Sequence, residues 1–298
     1  MDFRVLQYFL TVTKEQSISA AARALHLSQP TLSRQLKDLE NELGISLFIR
    51  GARKITLTEE GQLLKKRATE ILILMDKTQH ELSLTHKELS GDIYIGAGET
   101  YTMKLLTLAA QKLNTLYPDI HYHFISDDES DVKENLEKGI IDFGVIFGII
   151  NKEKYNFLPI PLKDHWGVLM RWDSLLAKKT YISPEDLRDK PLILSRQALN
   201  SGELNVWFQT SPDSLNIVGT YNLLYNGSLL VEGDLGYALC FDGIINITEK
   251  SNLIFRPLRP PVESSMSIIW KKDRPLSKIS EKYLDILSEI INRNRNLP

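Results

Sequence analysis

The chain has 298 residues, 43% hydrophobic and 25% charged, a globular composition long enough for two domains. No stretch approaches the ~18 apolar residues of a membrane span, and Met1-Asp2-Phe3-Arg4 opens an amphipathic pattern rather than a secretory signal, so a cytoplasmic location without membrane is expected. The net charge of -2 hides a division: residues 1–67 carry 11 basic and 7 acidic side chains, a balance of +4 that leaves -6 for the remainder and directs any polyanionic partner to the head.

Phe3, Leu6, Phe9, Leu10 and Val12 recur at helical spacing and predict a first amphipathic helix. Ser17 is an N-cap candidate for a second, rich in alanine, that runs to Leu25. A third opens with Ser28 as N-cap and Pro30 in its first turn. Leu32, Leu36 and Leu39 form its buried stripe, and Gln29, Thr31, Ser33, Arg34 and Lys37 are left for solvent. Two helices about a tight turn near His26-Leu27 fit a helix-turn-helix, whose second helix enters the major groove of DNA. There Gln can pair with adenine, Arg with guanine, and Ser or Thr with a base or a phosphate. An ordinary helical hairpin with a polar outer face fits the periodicity equally well.

Gly44 ends the third helix, and residues 46–57 read as two short strands around a basic turn. Such a wing can bring Arg50, Arg53 and Lys54 to phosphates or the minor groove. Thr58-Glu59-Glu60-Gly61 opens a new helix, with Thr58 as N-cap and acids in the first turn.

From Phe3 to about Ala68 the sequence resembles the DNA-binding domain of LysR-type transcriptional regulators. The matching elements are Ser19-Ala20-Ala21-Ala22-Arg23-Ala24-Leu25, Leu27-Ser28-Gln29-Pro30-Thr31-Leu32-Ser33, Leu39-Glu40, Leu43-Gly44, Leu47-Phe48 and Leu57-Thr58-Glu59-Glu60-Gly61. The resemblance implies a winged helix-turn-helix over residues 1–58, with Gln29, Thr31, Ser33 and Arg34 at or near the groove. Arg50 and Arg53 stand for the family's arginine pair in the wing. The DNA-binding set is then Ser28, Gln29, Pro30, Thr31, Ser33, Arg34, Lys37, Arg50, Arg53 and Lys54, and the partner is double-stranded DNA.

From Thr58 to about Leu89 the helical pattern continues through Leu63, Leu64, Ile71, Leu72, Leu74, Met75, Leu82 and Leu89. So long a helix needs a partner for its apolar stripe, either a second copy or its own C-terminal domain. The family resemblance implies the first: residues 59–90 as a linker helix that pairs two subunits. Ser90-Gly91-Asp92 reads as a hinge. A dimer, and a dimer of dimers, follow as expectations.

Beyond Asp92 strands and helices alternate, which predicts a parallel α/β sheet covered on both faces. Strands are read at Ile93–Ala97, His121–Ile125, Asp142–Phe147, Trp166–Met170, Pro191–Leu194, Tyr237–Cys240 and Met266–Trp270, with a closing helix from Lys278 to Asn292. Residues 136–145 and 231–238 resemble the LysR-type effector domain. That resemblance covers nearly all of the chain and makes it α+β overall: a winged helix-turn-helix, a long linker helix and a two-lobed α/β domain of periplasmic-binding-protein type. It implies lobe one at 91–161 and 266–298, lobe two at 162–265, crossovers near Pro159–Leu162 and Pro260–Val262, and a ligand cleft between the lobes.

Ligands of open parallel sheets bind beyond the carboxyl ends of the strands, at helix N-termini. That rule selects Glu99, Thr100, Tyr101 and Thr102, then Ser126, Phe147 and Gly148, and Ser195 and Arg196 in lobe two. The family's hydroxyl position is filled by Thr100 or Thr102. Arg196 could pair a small-molecule carboxylate, whereas Glu99 and Asp127-Asp128-Glu129 would suit an amine; each of these side chains also reads as a helix cap or a surface group. RNA polymerase is a further candidate partner.

Catalysis finds no support. Gly96-Ala97-Gly98 begins a dinucleotide loop, but Tyr101 stands where its third glycine belongs, and no P-loop, G-x-S-x-G or H-E-x-x-H occurs. His121 and His123 read as ordinary strand residues, and Cys240, the only cysteine, as a buried small side chain. No cofactor, metal or catalytic residue is expected. The rival reading is a cytosolic small-molecule-binding protein of the same two-lobed fold whose helical head serves assembly; the winged motif argues against it. An enzyme on this fold would need an acid–base pair in the cleft.

Overall fold

The computed structural model describes residues 1–50, 54–83, 89–201, 203–210, 214–248 and 251–295. It divides into two compact units, Met1–Lys87 and Glu88–Pro298.

The first unit holds α1 (Phe3–Glu15), α2 (Ile18–Ala24), α3 (Gln29–Leu43), β1 (Phe48–Arg50), β2 (Ile55–Leu57) and α4 (Glu59–Ser83). Side-chain caps set the helix starts: Asp2 accepts from the Arg4 amide, Ser17 from Ala20 and Ser28 from Thr31. Gly44, at φ 69°, takes the left-handed conformation that ends α3. Leu6, Phe9 and Val12 of α1, Ala21 and Ala22 of α2, Leu32, Leu36 and Leu39 of α3, and Leu47 and Ala68 make one core. Helix α4 has 25 residues, roughly 37 Å of helix. Leu64 and Ile71 pack on this core; Leu72, Leu74 and Met75 are not among its members.

The second unit holds β3 (Gly91–Ala97), α5 (Met103–Leu116), β4 (Ile120–Ser126), α6 (Glu129–Lys138), β5 (Phe143–Phe147), β6 (Tyr155–Arg171), α7 (Pro184–Leu187), β7 (Leu192–Ser195), α8 (Arg196–Ser201), α9 (Glu203–Phe208), β8 (Ile217–Tyr221), α10 (Leu224–Glu232), β9 (Tyr237–Phe241), β10 (Leu253–Pro257), β11 (Glu263–Lys271) and α11 (Lys278–Arg295). The strands run in the order β4-β3-β5-β11-β6-β9-β7-β8, with β10 also on β6. The expected parallel sheet is therefore mixed. β3, β4 and β5 are mutually parallel, as are β7, β8 and β9, but β6 and β11 run antiparallel to their neighbours. One lobe buries Ile93, Ile95, Leu106, Leu113, Phe143, Tyr283 and Leu287 between its sheet, α5 and α11. The other carries a core on each sheet face, around Val168, Leu192 and Trp207 and around Leu169, Ile193 and Tyr221.

Three expectations are corrected. Tyr155–Arg171 is one strand, so the strand expected at Trp166–Met170 is only its second half; Pro159 and Pro161 disguised the first. Pro159 faces Ser267, next to a register shift in the ladder, where a missing N–H is tolerated. Gly91 and Asp92 are not a hinge but the first residues of β3, paired with Ile120 and His121. Leu89 belongs to no linker stripe; it packs, partly buried, on the core of α5 and α11. The short elements α8, β8 and β10 lack the long apolar pattern that would have revealed them.

Candidate nucleic-acid interface and ligand cleft

The link between α2 and α3 is closed by backbone bonds. The Leu27 amide donates to the Ala22 carbonyl at 2.9 Å, and His26 turns the chain at φ 54°. Because Leu32, Leu36 and Leu39 are buried, the outer face of α3 is fixed: Gln29, Pro30, Thr31, Arg34 and Lys37 are exposed, as is Ser28 before them, and Ser33 is half-buried. The Arg34 side chain is 84% exposed and lies only loosely, at 4.0 Å, from Asp38. An exposed pair at that distance leaves the guanidinium available.

The wing is held to α3 by a residue that the sequence reading left without a role. One carboxylate oxygen of Glu40 accepts from the amides of Leu47 at 2.7 Å and Phe48 at 3.3 Å. Phe48 also packs on Phe9, with ring centroids 5.3 Å apart. Its signal was the acid directly after the buried Leu39, four residues ahead of Gly44. Lys54 is exposed at the start of β2. The wing residue Arg53 lies outside the described residues, and for Arg50 only the backbone, in β1, is described.

In the second unit the loop between β3 and α5 meets the other lobe. The Glu99 carboxylate accepts from the Leu224 amide at the start of α10. Thr100 is buried; its hydroxyl accepts from the Thr102 amide at 3.1 Å and lies 3.2 Å from Met266 Sδ. Glu99, Thr100, Tyr101 and Ser126 line a hollow of about 260 Å³, together with Lys104, Phe124 and Ile244. Thr102 does not line it and is 1% exposed. Phe147, Gly148, Ser195 and Arg196 do not line it. Phe147 instead stacks on Phe241 of the opposite lobe, with centroids 5.4 Å apart. Gly148 is exposed, Ser195 accepts from the Ala198 amide at 3.0 Å as a cap of α8, and Arg196 is exposed. Its charge helps to keep the Asp128 carboxyl below its ordinary range, after hydrogen bonds from Ser130 and the Asp131 amide. Gln197 Oε1 comes within 3.6 Å of the place a Cβ on Gly98 would occupy, so the lobes nearly touch there.

Beside Thr100 one carboxylate is buried where the lobes join. Asp164, 4% exposed, stands opposite Ser264 on the two antiparallel strands. Burial pushes its carboxyl up to about 6, against the pull of a hydrogen bond from Thr100 and of nearby His165. Elsewhere, burial drives the Cys240 thiol far up, which suits an inert side chain rather than a nucleophile. His123 stacks on Tyr94 and lies 2.7 Å from Asp92 Oδ1. Among the described residues no group of three or more His, Cys, Asp or Glu converges as metal ligands, and no helix is long and apolar enough to cross a membrane.

Residues 3–62 match the family described as bacterial regulatory helix-turn-helix protein, lysR family, and residues 86–291 match the LysR substrate binding domain. The chain belongs to the LysR family. It is a LysR-type DNA-binding transcription regulator with an effector-binding domain, in a family of regulators rather than enzymes. This LysR-type chain is 37% identical to the regulator BsdA of Bacillus subtilis (strain 168) over 207 residues, 69% of this chain and 70% of that one. It is 26% identical to the uncharacterized regulator YfeR of Shigella flexneri over 291 residues, 97% and 94% of the two chains. Its fold matches the crystal structure of the LysR family regulator CbnR with a TM-score of 0.72 at 19% identity, covering 98% and 99%. The fold also matches CbnR complexed with its target DNA, with a TM-score of 0.70 at 20% identity, covering 97% and 100%.

Proposed function

We propose that this LysR-type regulator reads DNA with residues 1–58, pairs subunits through 59–90 and senses a small molecule with 91–298. Helix α3 enters the major groove, where Gln29, Thr31, Ser33 and Arg34 meet base edges while Ser28, Pro30 and Lys37 border the phosphates. Arg50, Arg53 and Lys54 reach the flanking backbone. The observation that carries this is the face of α3: three buried leucines on one side, and a row of exposed donors on the other with no acid in its first two turns. CbnR, bound to its target DNA, offers a precedent of the same fold.

Leu72, Leu74 and Met75 extend an apolar stripe past the head core, and a second copy of α4 is the simplest cover for it. Two heads then read an interrupted palindrome, and pairs of dimers assemble through their effector domains. A ligand between the lobes, met by Glu99, Thr100, Tyr101, Thr102, Ser126, Phe147, Gly148, Ser195 and Arg196, shifts the lobe angle and with it the spacing of the heads and contact with RNA polymerase. It does so only as far as it prefers one arrangement over the other. The protein acts in the cytoplasm, where its DNA is.

The test is a gel-shift titration against the DNA upstream of its own gene, with unrelated DNA of equal length as competitor. Retardation that survives the competitor is the expected result. Equal, salt-sensitive binding to both DNAs would overturn sequence reading by α3.

A further inference from the structure

The two strands that join the lobes carry a set of side chains on one face at the lobe junction. Asp164 stands opposite Ser264, and Trp166 follows two positions along β6. The Trp166 indole N–H donates to the Ser264 hydroxyl at 3.0 Å, and its ring lies 4.3 Å from that of Phe241. Phe147 completes the aromatic surface against Phe241. A single carboxylate is thus set into an apolar, aromatic surface at the lobe junction.

That carboxylate is incompletely matched. Asp164 Oδ2 and the Thr102 hydroxyl are both buried and without a hydrogen-bond partner among the described residues. The neighbouring basic side chains are turned away: Lys163 pairs with Glu263 at 2.6 Å and His165 Nδ1 lies 3.6 Å from the same carboxylate, each on an exposed side chain. Thr100 is the one described side chain that hydrogen-bonds Asp164. A buried charge without a counter-ion is costly, and a ligand that supplies one recovers that cost on binding.

An anion finds the opposite situation. The N-terminus of α5 is where an α/β fold would hold one, yet its first amides are already engaged. Thr102 donates to Thr100 Oγ1, Met103 to the Thr100 carbonyl at 3.3 Å, Lys104 to Tyr101 at 3.1 Å and Leu105 to Thr102 at 2.9 Å. The Lys104 ammonium sits over the Tyr101 ring, 3.9 Å from its centroid. Glu99, which lines the hollow, adds negative charge there.

From these unmatched acceptors we infer that the cleft takes an effector bearing a protonated amine or amidinium, held between Asp164 and the Thr102 hydroxyl with its apolar part against Phe147, Trp166 and Phe241. The inference rests on the cleft being the effector site, and it specifies the class of effector. Entry requires the lobes to part where Gln197 approaches Gly98.

The test uses full-length protein and a thermal-shift screen of small amines and amidines, benzylamine and benzamidine among them, beside carboxylates of matched shape such as benzoate. Stabilising compounds should come from the cationic half. Asp164→Asn should weaken each of them by about 30-fold or more, as expected for loss of one partner of a buried ion pair. Thr102→Val should weaken them less, and both variants should still melt cooperatively. Stabilisation by carboxylates alone, a panel with no stabilising cation, or cation affinity unchanged in Asp164→Asn would each overturn the assignment. Failure of the wild type to retard its DNA would instead remove the regulator mechanism and leave the cation result standing.

Discussion

The hydroxyls of Ser28 and Thr31 lie 2.7 Å apart at the head of α3, and the Thr31 amide donates to the same Ser28 oxygen at 3.2 Å. Ser28 therefore satisfies an open helix amide and fixes the Thr31 hydroxyl at the proposed groove contact. Ser28→Ala should cost the head about 1 kcal/mol and reduce operator affinity, whereas Ser28→Asn should keep the cap. Denaturant melts of the three proteins, read beside DNA titrations, check this; identical melts would remove the cap from the account.

Arg34 and Lys54 should respond differently to the same assay. Arg34→Ala is expected to lose about 1–3 kcal/mol on the specific site and to relax preference at one base pair. Lys54→Ala should weaken binding evenly across sequences and lower the salt slope by about 1. Titrations at several salt concentrations on specific and scrambled DNA separate the two. The same loss on both DNAs for Arg34→Ala would make it a phosphate contact.

Gly61 explains why the Thr58-Glu59-Glu60-Gly61 turn carries no larger side chain. Its amide donates to Thr58 Oγ1 at 2.9 Å, and a Cβ there would stand 2.2 Å from the Leu47 carbonyl oxygen. That oxygen is backbone and itself accepts from the Thr58 amide at 3.1 Å. Gly61→Ala should destabilise the head by about 3 kcal/mol or more and abolish DNA retardation while leaving the C-terminal unit folded, a pattern that limited proteolysis would display.

Asp164 gives a pH dependence of definite sign. Its carboxyl rises from an ordinary 3.8 to about 6 in the folded protein. The native state holds the proton more tightly than the unfolded chain, so the penalty is absent below about pH 3.8, grows up to about pH 6 and is complete above it. A shift of this size corresponds to about 3 kcal/mol. Asp164→Asn should therefore melt above wild type at pH near 8 and close to it near pH 4, where the carboxyl is protonated. A wild type that outlasts the variant at the higher pH would mean that a cation already sits beside the carboxylate.

The head was legible because each of its devices is local. Ser28, Pro30, the three leucines and Gly44 announce α3 within seventeen residues of chain, and Thr58 announces α4. The cleft was legible only where strand ends follow one another in sequence. Glu99, Thr100, Tyr101 and Ser126 come together because β3 and β4 are adjacent parallel strands. Asp164 escaped notice since Lys163-Asp164-His165 reads as a solvated run. Yet Asp164, Trp166 and Val168 alternate on one buried face of β6, and that period of two was available in the sequence. Arg196, by contrast, was chosen for its charge, and the fold turns it outward beside Asp128.

The two joining strands also impose an order on synthesis. The chain leaves the first lobe along β6, completes the second, and returns along β11 before α11 is made. Ile279, Tyr283, Ile286, Leu287, Ile290 and Ile291 of α11 fill the core that β3 and α5 began almost two hundred residues earlier. As domains fold while emerging from the ribosome, the head and the second lobe can close on the nascent chain, but the first lobe stays open until its last helix emerges. A stop codon within α11 would leave a DNA-reading head attached to a sensor that cannot shut.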